Sequence, residues 1–141
     1  MQADPIIIPR PLIIQMLHHA QLLPESEVCG LIGAHHQKPV SCYPVSNIAK
    51  DPLNRYTMDP AEQIDAMRKM KQANETLFAI YHSHPHSQAL PSQTDLALAN
   101  YPEALYLIIS LNTKGVLEMR GFHLKPDHSA REVILLLEDE S

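Results

Sequence analysis

Three histidines stand at alternate positions in YHSHPHSQALPSQTDLALA, the stretch from Tyr81 to Ala99, and Ser92 and Asp95 follow them. Alternate residues of an extended strand face the same side. His82 and His84 therefore point together, and Ser83 points away. Two imidazoles so placed can reach one ion at the ~2.0–2.1 Å that zinc requires. Pro85 cannot continue a central strand ladder, so the chain turns through PHSQALP and re-enters regular structure at Ser92. Asp95, on the first turn of the next helix, can fold back towards the same ion. Three protein ligands with a fourth position left to water is the pattern of catalytic zinc sites. Ser92 and Asp95 also have a reading that needs no metal: Ser92 at the N-cap and Asp95 at N3 make a capping box. His86 continues the alternation but follows Pro85, so it is read as a loop residue with a supporting or substrate-facing role.

Several elements must position these side chains. TLFAIYHSH, with its β-branched and aromatic residues, predicts the strand that ends on the histidines, and SQTDLALANY predicts a short helix behind it. DPAEQIDAMRKMKQANE predicts the clearest helix: Asp59 is a good N-cap, Pro60 suits the first helical position, and Glu62 completes a capping-box pattern. Ile64, Met67 and Met70 are expected to form its apolar side. PRPLIIQMLHHAQLLP predicts a first helix with Ile13, Leu17 and Ala20 on one stripe, widened by Met16 and Leu23. EVCGLIGA and KPVSCYPV are expected as strands, as are ALYLIISL, VLEMRGFHL and AREVILLLE, with a hairpin turn at Asn112–Gly115. Strands interleaved with helices and ending in a run of strands indicate an α+β (mixed α/β) domain. The turn-rich segment from Asn47 to Pro60 reads equally as a substrate-side loop and as a plain connector to the Asp59 helix.

The 141 residues suit one domain, and 45% of them are apolar, as in a globular chain. A net charge of −5 and the lack of a Lys/Arg block argue against a nucleic-acid or anionic-membrane partner. No segment approaches the roughly 20 apolar residues of a membrane span. Cys29 and Cys42 are too few for a disulfide framework or a four-cysteine zinc site, and a reducing cytoplasm is expected. Cys29 lies in an apolar strand and is read as a packing residue. An amidohydrolase barrel also uses H-x-H but needs about 250 residues. A metallo-β-lactamase-like site would need aspartate and histidine directly after the pair, where Pro85 and His86 stand.

His82-Ser83-His84, seven residues, Ser92, two residues, Asp95 has the form H-S-H-x7-S-x2-D. This closely resembles the JAMM (MPN-plus) metalloprotease family, in its compact stand-alone prokaryotic type. The family pattern also places a glutamate upstream, before a small apolar strand, and EVCGLIG supplies Glu27 there. The resemblance covers most of the chain. It implies a single domain over residues 1–141, with a central, largely antiparallel curved sheet flanked by helices in an MPN/cytidine-deaminase-like sandwich. It implies one zinc ion held by His82, His84 and Asp95, with Glu27 as general base and Ser92 as donor to the developing oxyanion. Glu25 competes for the base role, and the adjacent Cys29-Gly30 favours Glu27. The implied reaction is hydrolysis after the C-terminal Gly-Gly of a ubiquitin-like protein, a sulfur carrier in compact members. Its alternatives are deconjugation of a ubiquitin-like modifier from lysine and a catalytically inactive scaffold of the same fold.

Overall fold

The structure, a computed structural model, describes residues 4–112 and 118–138. Its elements run β1 (Ile6–Ile8), α1 (Arg10–Leu22), β2 (Cys29–His35), β3 (Lys38–Val45), α2 (Pro60–Gln72), β4 (Thr76–His84), α3 (Gln93–Leu98), β5 (Leu105–Ser110), β6 (Glu118–Leu124), β7 (Ala130–Val133) and β8 (Leu135–Leu137). Six strands form one sheet in the order β3-β2-β4-β5-β6-β7. Every neighbouring pair in it is antiparallel except β4 and β5, which run parallel through the crossover that carries α3. The mixed α/β architecture with a largely antiparallel sheet matches the expectation from sequence.

The central strands β2, β4 and β5 are buried on both faces because they alternate between two apolar clusters. One cluster joins Ile32, Ala79, Tyr81, Leu107 and Ile109 to Leu12, Ile13, Met16 and Ala20 of α1. The other joins Leu31, Ile80, Tyr106, Ile108 and Phe122 to Ala66 and Met70 of α2. Gly30 lies in the layer under Tyr81, where a Cβ would fall on the phenol ring. The alternation of β4 carries straight into the histidines: His82 and His84 share parity with Ile80 and emerge on the α2 face.

Several details differ from the sequence expectations. Leu12 joins the α1 stripe while Leu23, past the helix end, is exposed. Ile64 is 59% exposed, and Ala66 takes its place beside Met70. Asp59 caps α2 by accepting from Ala61 N at 2.9 Å, but Glu62 makes no capping box. Its Oε1 instead accepts from Ser46 N and Oγ, each at 3.0 Å, because Asp59 N is already donated to Ser46 O. AREVILLLE divides at Ile134 into β7 and β8. The second piece pairs in parallel with β1, a strand of three isoleucines not expected from sequence. The turn expected at Asn112–Gly115 lies, from Thr113 onward, outside the described residues. Among those residues, no helix is long and apolar enough to cross a membrane.

Candidate metal centre and active site

Strand register places the first part of the site. β2 and β4 pair antiparallel with Cys29 opposite His82. Continued two residues past the start of β2, that register sets Glu27 opposite His84. Ser83 N donates to Val28 O at 3.0 Å, and Ser83 Oγ accepts from Val28 N at 2.9 Å, so this end of the strand pair is sealed. Glu27 is held further by its own backbone: its N–H donates to Pro52 O, and its carbonyl accepts from Asn47 Nδ2 at 2.9 Å.

The helix cap places the rest. Ser92 Oγ accepts from Asp95 N at 3.0 Å, and Asp95 Oδ2 accepts from Ser92 N at 2.9 Å, a complete capping box. The same Oδ2 lies 3.1 Å from His82 Nε2 and 3.2 Å from His84 Nε2. The two Nε2 atoms are 3.1 Å apart. The cap reading and the ligand reading of Ser92 and Asp95 therefore do not compete. The cap is what aims the carboxylate, and it leaves the Ser92 hydroxyl hydrogen free to donate.

Three convergent donor atoms at 3.1–3.2 Å fit one edge-sharing face of a tetrahedral site, whose edge is about 3.3 Å for ligands at zinc distances. His84 supports the fit. Its Nδ1 is 2.8 Å from the carbonyl of Gln88, which can only accept. The proton is therefore on Nδ1, and Nε2 offers a lone pair to the cluster. Glu27 completes the group, and the ligand atoms of all four residues lie within 4.8 Å of one another. All four are buried, and Glu27 Oε1 has no hydrogen-bond partner among the described residues. An ionised carboxylate oxygen buried without a partner is costly, and a cation relieves that cost.

The electrostatics follow from burial and proximity. Burial pushes the Glu27 carboxyl up to about 8, with His84 pulling the other way. Burial also raises Asp95, but His82, His84 and the Ser92 amide outweigh it and hold the carboxyl well below the usual carboxylate range. Burial lowers His84, yet its bonds to Asp95 and Gln88 leave it net raised. Cys29 is not poised for attack: burial pushes its thiol to about 12, and Sγ lies 3.4 Å from Val45 O.

Glu25 and His86 stand outside the cluster. They pair with each other at 2.8 Å across two surface loops, 75% and 62% exposed at the side chain. A cavity of about 390 Å³ opens beside Asp95, between the 56–58 segment and α3, with Tyr56, Met58, Leu98, Tyr101 and Tyr106 in its walls. Tyr56 also stacks on the His82 ring at 4.6 Å and 30°. It is one tyrosine in a turn-rich stretch, and nothing in the sequence pattern singles it out.

A sheet presenting two strand histidines beside a capping aspartate and an upstream glutamate defines a JAB-type metalloprotease domain. A family model described as prokaryotic homologs of the JAB domain matches residues 9–122, and the chain belongs to that family. It is 30% identical over 135 residues to the CysO-cysteine peptidase of Mycobacterium tuberculosis, covering 94% of this chain and 92% of that one. It is 36% identical over 89 residues to the desampylase of Haloferax volcanii, covering 62% of this chain and 64% of that one. A solution structure of a protein from Desulfitobacterium hafniense matches with a TM-score of 0.82 at 34% identity, over 96% of this chain and 94% of that one. A JAMM structure described as a metalloprotease-like zinc site in the proteasome and signalosome shares the fold, with a TM-score of 0.59 at 16% identity, over 96% of this chain and all of that one.

Proposed function

We propose that this chain is a zinc-dependent JAMM-type peptidase that hydrolyses the bond following the C-terminal Gly-Gly of a ubiquitin-like, sulfur-carrier protein. The observation that carries the proposal is the convergence of His82 Nε2, His84 Nε2 and Asp95 Oδ2 at 3.1–3.2 Å beside the unpartnered Oε1 of Glu27. His82, His84 and Asp95 would hold one zinc ion per chain. That ion would supply Lewis-acid chemistry for the scissile carbonyl and for the activation of water.

In this reading Glu27, beside the cluster, is the general base. It accepts the proton of the attacking water and delivers it to the leaving amine. Burial raises its carboxyl and a neighbouring cation works against that rise. Ser92 offers its free hydroxyl hydrogen to the oxygen on which charge develops. The cavity beside Asp95 offers room for an extended tail next to one of the three ligands, and glycine passes a narrow channel because it has no side chain. The names of the two curated relatives support a conjugate of a small carrier protein as substrate. The desampylase likeness favours a lysine-linked conjugate as the second reading. Two free cysteines suit the cytoplasm.

Elemental analysis of the purified chain tests the site. Wild type is expected to hold one zinc, and His84→Ala to lose it while keeping its circular dichroism. Glu27→Gln is expected to keep zinc and lose hydrolysis. Full zinc in His84→Ala, or an active Glu27→Gln beside an inactive Glu25→Gln, would overturn the assignment.

A further inference from the structure

The two histidines of the cluster are oriented by different means. His84 is fixed at both ring nitrogens, with Nδ1 donating to Gln88 O at 2.8 Å. His82 Nδ1 is buried and has no hydrogen-bond partner among the described residues. A metal-ligating imidazole ordinarily needs such a partner, because the outer nitrogen sets the tautomer and the plane of the ring. Rotation about the imidazole χ2 is otherwise broad. Beyond the Nε2 contacts and an edge contact with the His84 ring at 4.9 Å, the His82 ring carries Tyr56 stacked on its face at a centroid distance of 4.6 Å and an interplanar angle of 30°.

Tyr56 is itself held in place. The Asn47 side chain donates from Nδ2 to Arg55 O at 3.0 Å and accepts at Oδ1 from Thr57 N at 2.9 Å, so it grips the backbone on both sides of residue 56. Ile48 N donates to Thr57 O at 2.8 Å. Through a second bond from Nδ2, the same Asn47 side chain also holds the carbonyl of Glu27. One side chain therefore ties the stacking ring and the glutamate to a common anchor.

We infer that Tyr56 is a positioning residue, which fixes the plane of His82 by stacking where no Nδ1 hydrogen bond is made among the described residues. The segment from Asn47 to Met58 is then a strap that orders the metal site. The inference rests on the zinc reading given above.

The test is zinc affinity of the full chain, measured by competition with a chromophoric chelator, together with the visible absorption of the cobalt-substituted protein. A stacked aromatic pair is worth roughly 2- to 12-fold in an equilibrium constant. Tyr56→Leu should therefore bind zinc about tenfold more weakly, with shifted cobalt bands. Tyr56→Phe keeps the ring and should match wild type in both. If Tyr56→Leu does not fold, Tyr56→Met carries the same expectation with an unbranched side chain. Unchanged zinc affinity and an unchanged cobalt spectrum in the leucine or methionine variant would overturn the role of Tyr56 alone. A wild-type chain that fails to bind zinc would instead overturn the reading of the site.

Discussion

In the metal-free chain, Glu27→Gln should remove a pH dependence of stability that the wild type carries. Glu27 is 4% exposed, and burial raises its pKa from 4.5 to about 8. The folded state therefore holds the carboxyl proton more tightly than the unfolded state does. Such a group contributes its full stability below the unfolded value and loses it as pH rises through the folded one. Converted whole, at 1.36 kcal/mol per pKa unit, the rise corresponds to about 5 kcal/mol. The window from pH 5 to pH 9 spans only part of that rise and water reaching the cleft reduces it further, so a loss of about 2–4 kcal/mol is expected. Glutamine cannot ionise and escapes that loss, although its amide brings a pH-independent cost of its own. The informative quantity is thus the stability difference between variant and wild type, in which titrating groups away from Glu27 cancel and His84 and Asp95, which face it, do not. Urea denaturation with chelator present, at pH 5, 7 and 9, should show that difference moving in favour of Glu27→Gln as pH rises. A difference constant across the range would refute the placement of Glu27 as a desolvated carboxyl.

Three further outcomes follow from particular contacts. Zinc affinity should fall as pH drops, starting above the ordinary histidine range, because Asp95 and Gln88 favour the protonated His84 that a metal must displace; titration with a zinc chelator at several pH values reads this. Ser92→Ala should lower kcat about 10²-fold through the lost donor and cost about 1 kcal/mol through the lost cap on α3, separable by kinetics and thermal melting. Gly30→Ala should destabilise by more than about 1 kcal/mol, since the new methyl meets the buried ring of Tyr81, and calorimetry would show a lowered Tm.

The parts of the site legible in sequence are those set by local geometry. Strand alternation brings His82 and His84 to one side, and the Ser92/Asp95 spacing builds the cap that aims the carboxylate. Glu27 needs more than spacing, because only the β2–β4 register carries it opposite His84. The family resemblance, rather than periodicity, pointed to it over Glu25. Asn47 and Tyr56 left no pattern, since each acts through a tertiary contact from a segment without regular structure. The same limit explains the fold-level misses. Glu62 has the right spacing for a capping box, but Ser46 offers it two donors from β3's end. β1 and β8 are three residues each, and they pair with one another across nearly the whole length of the chain, with Ile8 and Leu135 against the core.

The most direct test of the central claim is cleavage of a small ubiquitin-like carrier fused through its Gly-Gly tail to a cysteine or a short peptide. Mass spectrometry of the products locates the cut. The zinc-loaded chain should release the carrier ending in Gly-Gly, chelator should abolish the reaction, and replacing the last glycine by valine should cost far more than changing the leaving residue. A zinc-loaded chain that leaves the fusion intact, cuts it elsewhere, or treats glycine and valine tails alike would contradict the account.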